Sequence, residues 1–405
     1  MTEVPLSDVP GGTITTPRGF LAGATHAGIK YPEPDRLDLA LLFSEQPCAA
    51  AGVYTQHAFR GPPILITERH LANGRAQAII ANSGVSNSLF GDEGMAFAEQ
   101  MAQSAAKQFG VAPEDVVVAS TGVTGWRLPI ERIVAALPSI TLSPGGGESF
   151  ARAIMTTDTV PKQAAVRFEW RGVTYAVGGC AKGSGMIHPN MATMLAYMTT
   201  DAPVDPSIIR PLLKDAADES FNMLTIDGDT SPNDMVVLLA NGAAGGETIG
   251  VNSPALPLLR AAVTHVAVSL TRQLARDGEG AGKLLVVRVD GAASTDDARR
   301  AARAIVLSPL VKTAVYGNDP NWGRVLVALG YSGARVRERD VALSIQGVEV
   351  FRGSAVPFDA AALSKSLAQE EVRIDLHLGA GDASATAYGC DLTPGYVRIN
   401  SEYTT

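Results

Sequence analysis

The chain has 405 residues, 46% hydrophobic and 18% charged, with a formal net charge of −8. That length carries one large or two ordinary domains with real cores, and the lack of any long run of like charge argues against nucleic acid as a partner. The N-terminal MTEVPLSDVPGGTITTPRGF lacks the apolar run of a signal peptide, and no stretch is apolar enough to span a bilayer.

Residues 1–20 read as an extended arm broken by Pro and Gly. Leu39 to Phe43, Gly52 to Tyr54 and Ile64 to Thr67 are short apolar runs between turn residues, which predicts three strands. A fourth, Ala76 to Ala81, ends at Asn82-Ser83-Gly84. From Asp92 to Phe109 the apolar residues fall on one helical face, and Gly110 stands where a left-handed cap belongs. Val116 to Ala119 predicts a buried strand running into Ser120-Thr121-Gly122, and Leu128 to Leu137 a short helix ended by Pro138. A loop at 143–147 and a helix over Glu148 to Met155 come next. Val166, Phe168 and Trp170 then alternate with polar residues, Arg171-Gly172 turns, and Val173, Tyr175 and Val177 alternate back as a hairpin.

Downstream, Asp205-Pro206 opens a helix, Met235 to Ala240 is a buried strand, and Pro254 to Arg276 a long helix. From about residue 285 the order changes to strand, helix, strand (Val311 to Tyr316), helix, hairpin around Gln346-Gly347, helix and two strands. The chain thus divides into a larger domain over 1–284, a smaller α/β domain over 285–395 and a tail over 396–405, in which Tyr396, Val397 and Ile399 are apolar enough to dock.

The stretch from Gly178 to Ala202 is the least ordinary. Glycines, Lys182 and a His-Pro-Asn turn precede Ala192-Thr193, and the apolar run Met194 to Met198 follows at once. Glycine permits positive φ and close backbone approach, so Gly178–Ser184 reads as a loop. It is not a phosphate loop, because Lys182 precedes the second glycine and a strand follows. Nor is DGDTSPND (227–234) a calcium loop, since it lacks the glycine at position six and the glutamate at position twelve. Six scattered histidines and three distant cysteines, Cys48, Cys180 and Cys390, suggest no metal site or disulfide framework and fit a reducing cytoplasm. Ser120-Thr121-Gly122 is compatible with a plain turn.

For Thr193 two readings stand open. It is either the first residue of a strand or a nucleophile. A threonine hydroxyl needs an adjacent base, and a free α-amine on the same residue, with an ordinary pKa of about 7.7–8.0, can serve. That amine exists only if the bond before Thr193 is cut, which its own hydroxyl can do by attacking the Ala192 carbonyl.

TPRGF (16–20), ASTGVTG (119–125), AIMTTDTVPK (153–162), AKGSGMIHPNMATML (181–195), TTDA (199–202), IDGDTSPND (226–234), DGEGAGK (277–283), SPLVKTA (308–314), GNDPNWGRV (317–325) and CDLTPGYVRINSEYTT (390–405) occur in one order from end to end. In these the chain resembles the ornithine acetyltransferase family, the bifunctional arginine-biosynthesis or glutamate N-acetyltransferase proteins. It departs from the family at His188, where alanine or an acidic residue is expected, and at NSGVSN (82–87), usually closer to NSGNAN.

The resemblance implies an α/β (α+β) fold, an αββα-type sandwich of N-terminal-nucleophile type plus the smaller α/β domain. It also implies self-cleavage between Ala192 and Thr193 into an α chain (1–192) and a β chain (193–405), assembled as α2β2. Thr193 would carry an acetyl group from N-acetylornithine to glutamate, with Thr121 and Gly122 as the oxyanion pair and Thr156, Lys182, Thr193, Glu279, Asn400 and Thr405 as substrate contacts. The expected partners are these small molecules, not nucleic acid or membrane. No cofactor is implied, although acetyl-CoA is a possible co-substrate. Two rival readings are an N-terminal-nucleophile amidase or aminopeptidase, with water as acceptor, and a non-catalytic amino-acid-binding module. The full-length match weighs against the first, and the intact Ala-Thr junction with Ser-Thr-Gly against the second.

Overall fold

The computed structural model describes residues 5–31, 33, 35–188 and 194–402. The chain divides into two units, one of Met1–Gly183, Asn190–Asp218 and Thr230–Leu270, the other of Ser184–Pro189, Glu219–Asp229 and Thr271–Thr405. The architecture is mixed α/β, with a sheet in each unit.

The first unit contains β1 (Ser7–Asp8), β2 (Phe20–Thr25), β3 (Leu39–Tyr54), β4 (Arg75–Asn82), β5 (Val116–Ser120), β6 (Lys162–Trp170), β7 (Val173–Lys182), β8 (Leu195–Thr200) and β9 (Met235–Ala240). Their order is β1-β6-β7-β8-β9-β3-β4-β5, with β2 also on β3. Its helices are α1 (Pro62–His70), α2 (Gly91–Phe109), α3 (Ile130–Ala136), α4 (Gly147–Ala153), α5 (Pro206–Glu219) up to Asp218, and the part of α6 (Leu256–Arg276) up to Leu270.

The stretches Leu39–Phe43 of β3, Ala78–Ala81 of β4 and Val116–Ala119 of β5 read as continuous apolar runs because both faces are covered. Leu39, Leu41, Ile80 and Val118 pack with Ala98, Met101 and Ala105 of α2. The alternate residues Ala40, Leu42, Ile79 and Val117 pack with Phe150 and Ile154 on the opposite face. The α2 helix ends as its sequence requires, with Gly110 at φ 68°.

In this unit three expectations need correction. The strands read at Leu39–Phe43 and Gly52–Tyr54 are the two ends of β3, joined across a register shift between Phe43 and Cys48 that takes up Pro47. Ile64–Thr67 is helical within α1, because Pro62 and Pro63 occupy its first positions with φ already set for a helix. Gly178 and Gly179 belong to β7 rather than to a loop. Their need is for space. A Cβ on Gly178 would sit 2.3 Å from the Thr13 carbonyl oxygen, and one on Gly179 3.1 Å from Leu270 Cδ1.

The second unit contains β10 (Leu284–Ala292), α7 (Thr295–Leu307), α8 (Pro309–Tyr316), α9 (Trp322–Gly330), β11 (Ala342–Ile345), β12 (Val348–Arg352), α10 (Ala360–Ser366), β13 (Glu371–His377), β14 (Ala383–Cys390) and α11 (Pro394–Ser401). Its sheet order is β12-β11-β13-β10-β14. The β11–β12 hairpin turns on Gln346 and Gly347 with φ of 50° and 77°, the two positive values its tight turn demands. Val311–Tyr316, expected as a strand, is helical in α8. The Ser308 hydroxyl accepts from the Val311 N–H, and Pro309 starts the helix. Of the tail residues expected to dock, Val397 is 66% exposed.

Candidate active site

In the first unit Lys182 closes β7 and is paired with Leu195, which opens β8. The Lys182 side chain is buried, and its ammonium donates to Thr156 Oγ1 at 2.9 Å and to Thr121 Oγ1 at 3.2 Å. Three of the residues expected at the site are therefore brought together. An ammonium has donors only, so both hydroxyls accept from it. Each retains its own proton to donate elsewhere.

Thr121 and Gly122 follow β5 directly. The Thr121 N–H is fixed to the Asn82 carbonyl at 3.0 Å, and the Val123 N–H to that of Gly84 at 3.0 Å. Between them Gly122 adopts φ 127°, and a Cβ there would lie 2.2 Å from the Gly84 carbonyl carbon. Only glycine fits this corner. Among the described residues the Gly122 N–H has no acceptor. Buried Asn233 braces the corner, donating to the Ser120 carbonyl at 3.0 Å and to that of Ser86, and accepting from Ser88 Oγ at 2.9 Å.

Beneath Lys182 lies a fully buried ion pair, Asp158–Lys162. The Asp158 carboxylate accepts from the Thr156 N–H at 2.9 Å and the Gly183 N–H at 2.7 Å, so one group holds the backbone on which two site residues hang. Burial alone would raise its pKa. The ammonium groups of Lys162 and Lys182, with the hydrogen bonds, outweigh that and lower it to about 2. Arg36 steadies the same loop from outside, donating to the Thr156 carbonyl at 2.8 Å with its guanidinium 3.7 Å over the Tyr31 ring. A cleft of about 700 Å³ opens along Tyr31, Arg36, Met155 and Thr156.

In the second unit the buried Glu279 carboxylate accepts from Asn400 Nδ2 at 2.6 Å, joining the DGEGAGK loop to α11. Thr393 Oγ1 donates to the Gly280 carbonyl at 2.7 Å, and a Cβ on Gly280 would meet the Tyr396 nitrogen at 2.5 Å. Glu279 and Asn400 are thus a second expected pair that the fold brings together. Ala192, Thr193 and Thr405 lie outside the described residues.

The sequence reading singled out neither Asp158, Lys162, Asn233 nor Arg36. For the first two a signal existed, since opposite charges four apart lead into a strand with one buried face. Asn233 stood inside a quoted motif, but nothing local revealed that its amide would reach residues more than a hundred positions away. Arg36 gave no signal.

The ArgJ family model matches residues 21–405. A relative from Symbiobacterium thermophilum, an arginine biosynthesis bifunctional protein ArgJ, is 50% identical over 397 residues, covering 97% of this chain and 99% of its own. One of the same name from Dehalococcoides mccartyi is 48% identical over 398 residues, covering 98% of each. The crystal structure of the arginine biosynthesis bifunctional protein argJ from Bacillus halodurans is 41% identical with a TM-score of 0.51, covering 52% of this chain and 100% of its own. The chain belongs to the ArgJ family.

Proposed function

We propose that this chain is an acyltransferase of arginine biosynthesis that moves an acetyl group from N-acetylornithine to glutamate through an acetyl ester on Thr193. The family supports the activity. The observation that carries the site is the register of β7 on β8: the strand that begins two residues after Thr193 begins opposite Lys182, whose ammonium joins Thr121 to Thr156.

The chemistry starts with the chain itself. Thr193 Oγ attacks the Ala192 carbonyl, the acyl group moves from nitrogen to oxygen, and water hydrolyses the ester. This leaves a carboxylate on Ala192 and a free amine on Thr193. The whole Bacillus halodurans chain spans 52% of this one, close to the share that residues 193–405 make up, which supports a divided chain.

In the transfer reaction the Thr193 amine takes the hydroxyl proton as Oγ attacks the acetyl carbonyl. The Thr121 O–H and Gly122 N–H receive the oxyanion. Ornithine leaves with the proton, and the glutamate amine then attacks the ester to release N-acetylglutamate. Lys182 supplies the cation for the α-carboxylate that both substrates carry, and Glu279, oriented by Asn400, the anion for the ornithine side-chain amine. Both amino acids pass through the same acetyl-enzyme in turn, so the kinetics are ping-pong. The protomer is cytoplasmic, and two of them form an α2β2 assembly. No cofactor takes part.

A denaturing gel of active protein should show two fragments, one beginning Thr-Met-Leu-Ala by Edman degradation. Thr193→Ala should stay whole and inactive; an active Thr193→Ala enzyme would remove Thr193 from the nucleophile role. Fast ornithine release without glutamate would point instead to an amidase. Free CoA from acetyl-CoA plus glutamate would add that donor.

A further inference from the structure

Within the second unit, the residues that lead up to position 189 are held at successive points. The Ser184 carbonyl accepts from the Glu279 N–H at 2.7 Å. The Asp227 carboxylate accepts from the Met186 and Ile187 N–H groups at 2.6 and 2.9 Å. The Ile187 carbonyl accepts from the Ile226 N–H at 2.7 Å. Met186 carries φ 55°, a left-handed conformation that an L-residue with a side chain rarely adopts. The carboxylate holds it there.

His188 completes this run. Its Nε2 lies 3.1 Å from an Arg303 guanidinium nitrogen and its Nδ1 3.1 Å from Thr225 Oγ1. Arginine has no acceptor, so Nε2 accepts, and the proton of the neutral ring sits on Nδ1 and is donated to Thr225. Thr225 Oγ1 in turn donates to the Ile187 carbonyl at 3.3 Å. The relay runs Arg303 to His188 to Thr225 and returns to the backbone of the residue before His188. Burial first, and the Arg303 charge second, lower the His188 pKa to about 4, so at neutral pH the ring holds this one tautomer.

We propose that His188 is a positioning residue for self-cleavage, one that fixes the backbone leading to the Ala192–Thr193 bond through a directed hydrogen-bond relay from Arg303 to Thr225. This rests on the self-cleavage proposed above. His188 moves no proton in the reaction. It sets the direction in which the chain enters the segment where Thr193 must meet the Ala192 carbonyl, and misplacement of about 1 Å can cost roughly a hundredfold in such a step.

The test follows division of newly made full-length chain after a short labelling pulse in cell-free translation, read on denaturing gels. His188→Leu, similar in bulk and without hydrogen bonds, should divide roughly ten to a hundred times more slowly. Thr225→Val, which breaks the relay without touching the ring, should slow it similarly, and the double variant should be no slower than either alone. His188→Asn, which restores a donor towards Thr225, should recover most of the rate. Acetyl transfer per divided chain should stay within about twofold of wild type.

Both single variants dividing at the wild-type rate would overturn the relay and leave self-cleavage intact. A transfer rate per divided chain that falls in step with division would overturn it too, as a merely structural role. A wild-type chain that never divides would overturn the relay and the self-cleavage reading together.

Discussion

The Lys182 ammonium donates to Thr121 Oγ1 over 3.2 Å, and that contact decides which way the hydroxyl can act. With one lone pair taken by a cation, the Thr121 hydroxyl can still donate its own proton, which the oxyanion role proposed for it requires. Thr121→Val keeps the shape and removes the donor. It should lower kcat by about 10²–10³ with little change in KM, the signature of a contact made only in the transition state. Steady-state kinetics on divided enzyme will check this; an unchanged kcat would exclude Thr121 from the oxyanion pair.

Asp158 should matter for folding before it matters for catalysis. Asp158→Asn takes the carboxylate away from the Lys162 ammonium in a site with no exposure. Removing one partner of a buried pair costs about 3–5 kcal/mol, whereas replacing both with apolar groups can be nearly neutral. The double variant Asp158→Asn/Lys162→Met, which leaves no buried ammonium at position 162, should recover much of the stability lost by Asp158→Asn. Urea titrations of the three proteins give the comparison.

Glu279 should discriminate between the two substrates. Its carboxylate suits a cationic side chain, so Glu279→Gln should raise KM for N-acetylornithine about 10–100-fold, equivalent to losing a hydrogen bond to a charged group of about 1.5–3 kcal/mol. KM for glutamate, whose side chain is anionic, should not rise. Asn400→Ala should shift the same constant in the same direction by less, because it orients the carboxylate without supplying the charge. Equal effects on both substrates would assign Glu279 to a group they share.

Stability against pH separates His188 from Asp158. The folded His188 pKa, about 4, lies below its ordinary 6.5, so the unfolded chain binds more protons between those values. Its contribution is therefore whole above pH 6.5 and lost as pH falls towards 4. For Asp158 the folded value of about 2 lies below the ordinary 3.8, and its contribution is lost only between 3.8 and 2. Melting temperatures of His188→Leu and wild type should converge as the pH is lowered from 7 to 4. A gap that stays constant across that range would show that His188 does not titrate as described.

The sequence carried the large elements because their signals are local. The α2 stripe with its Gly110 cap, the β6–β7 alternation and the Gln346-Gly347 turn each lie within a few residues. Two apolar runs were misread, Ile64–Thr67 and Val311–Tyr316, where prolines just upstream had already set a helix. Periodicity cannot separate a short buried strand from one turn of buried helix. Gly178 and Gly179 misled for another reason: the groups that forbid a side chain there come from Thr13 and Leu270, far along the chain. The site was legible as residue types in a family pattern. Its support was not, because Asp158 and Asn233 act through backbone groups that only the fold brings within reach.

The order of strands in the first sheet bears on what a cut at Ala192–Thr193 can do. β8 and β9 come after that bond and β1 to β7 before it, yet β8–β9 sits inside the sheet, with β7 along one side and β3 along the other. The ladder of Val177–Lys182 on Leu195–Thr200 holds one edge, and that of Ala49–Tyr54 on Met235–Ala240 the other. Divided or not, the two pieces are interleaved like the fingers of clasped hands. Neither piece can be withdrawn without opening two rows of backbone hydrogen bonds at once. Fragments 1–192 and 193–405 made separately would each lack strands that complete the other's sheet. A cut at this bond, as proposed above, would thus fall in a chain whose sheet had already formed.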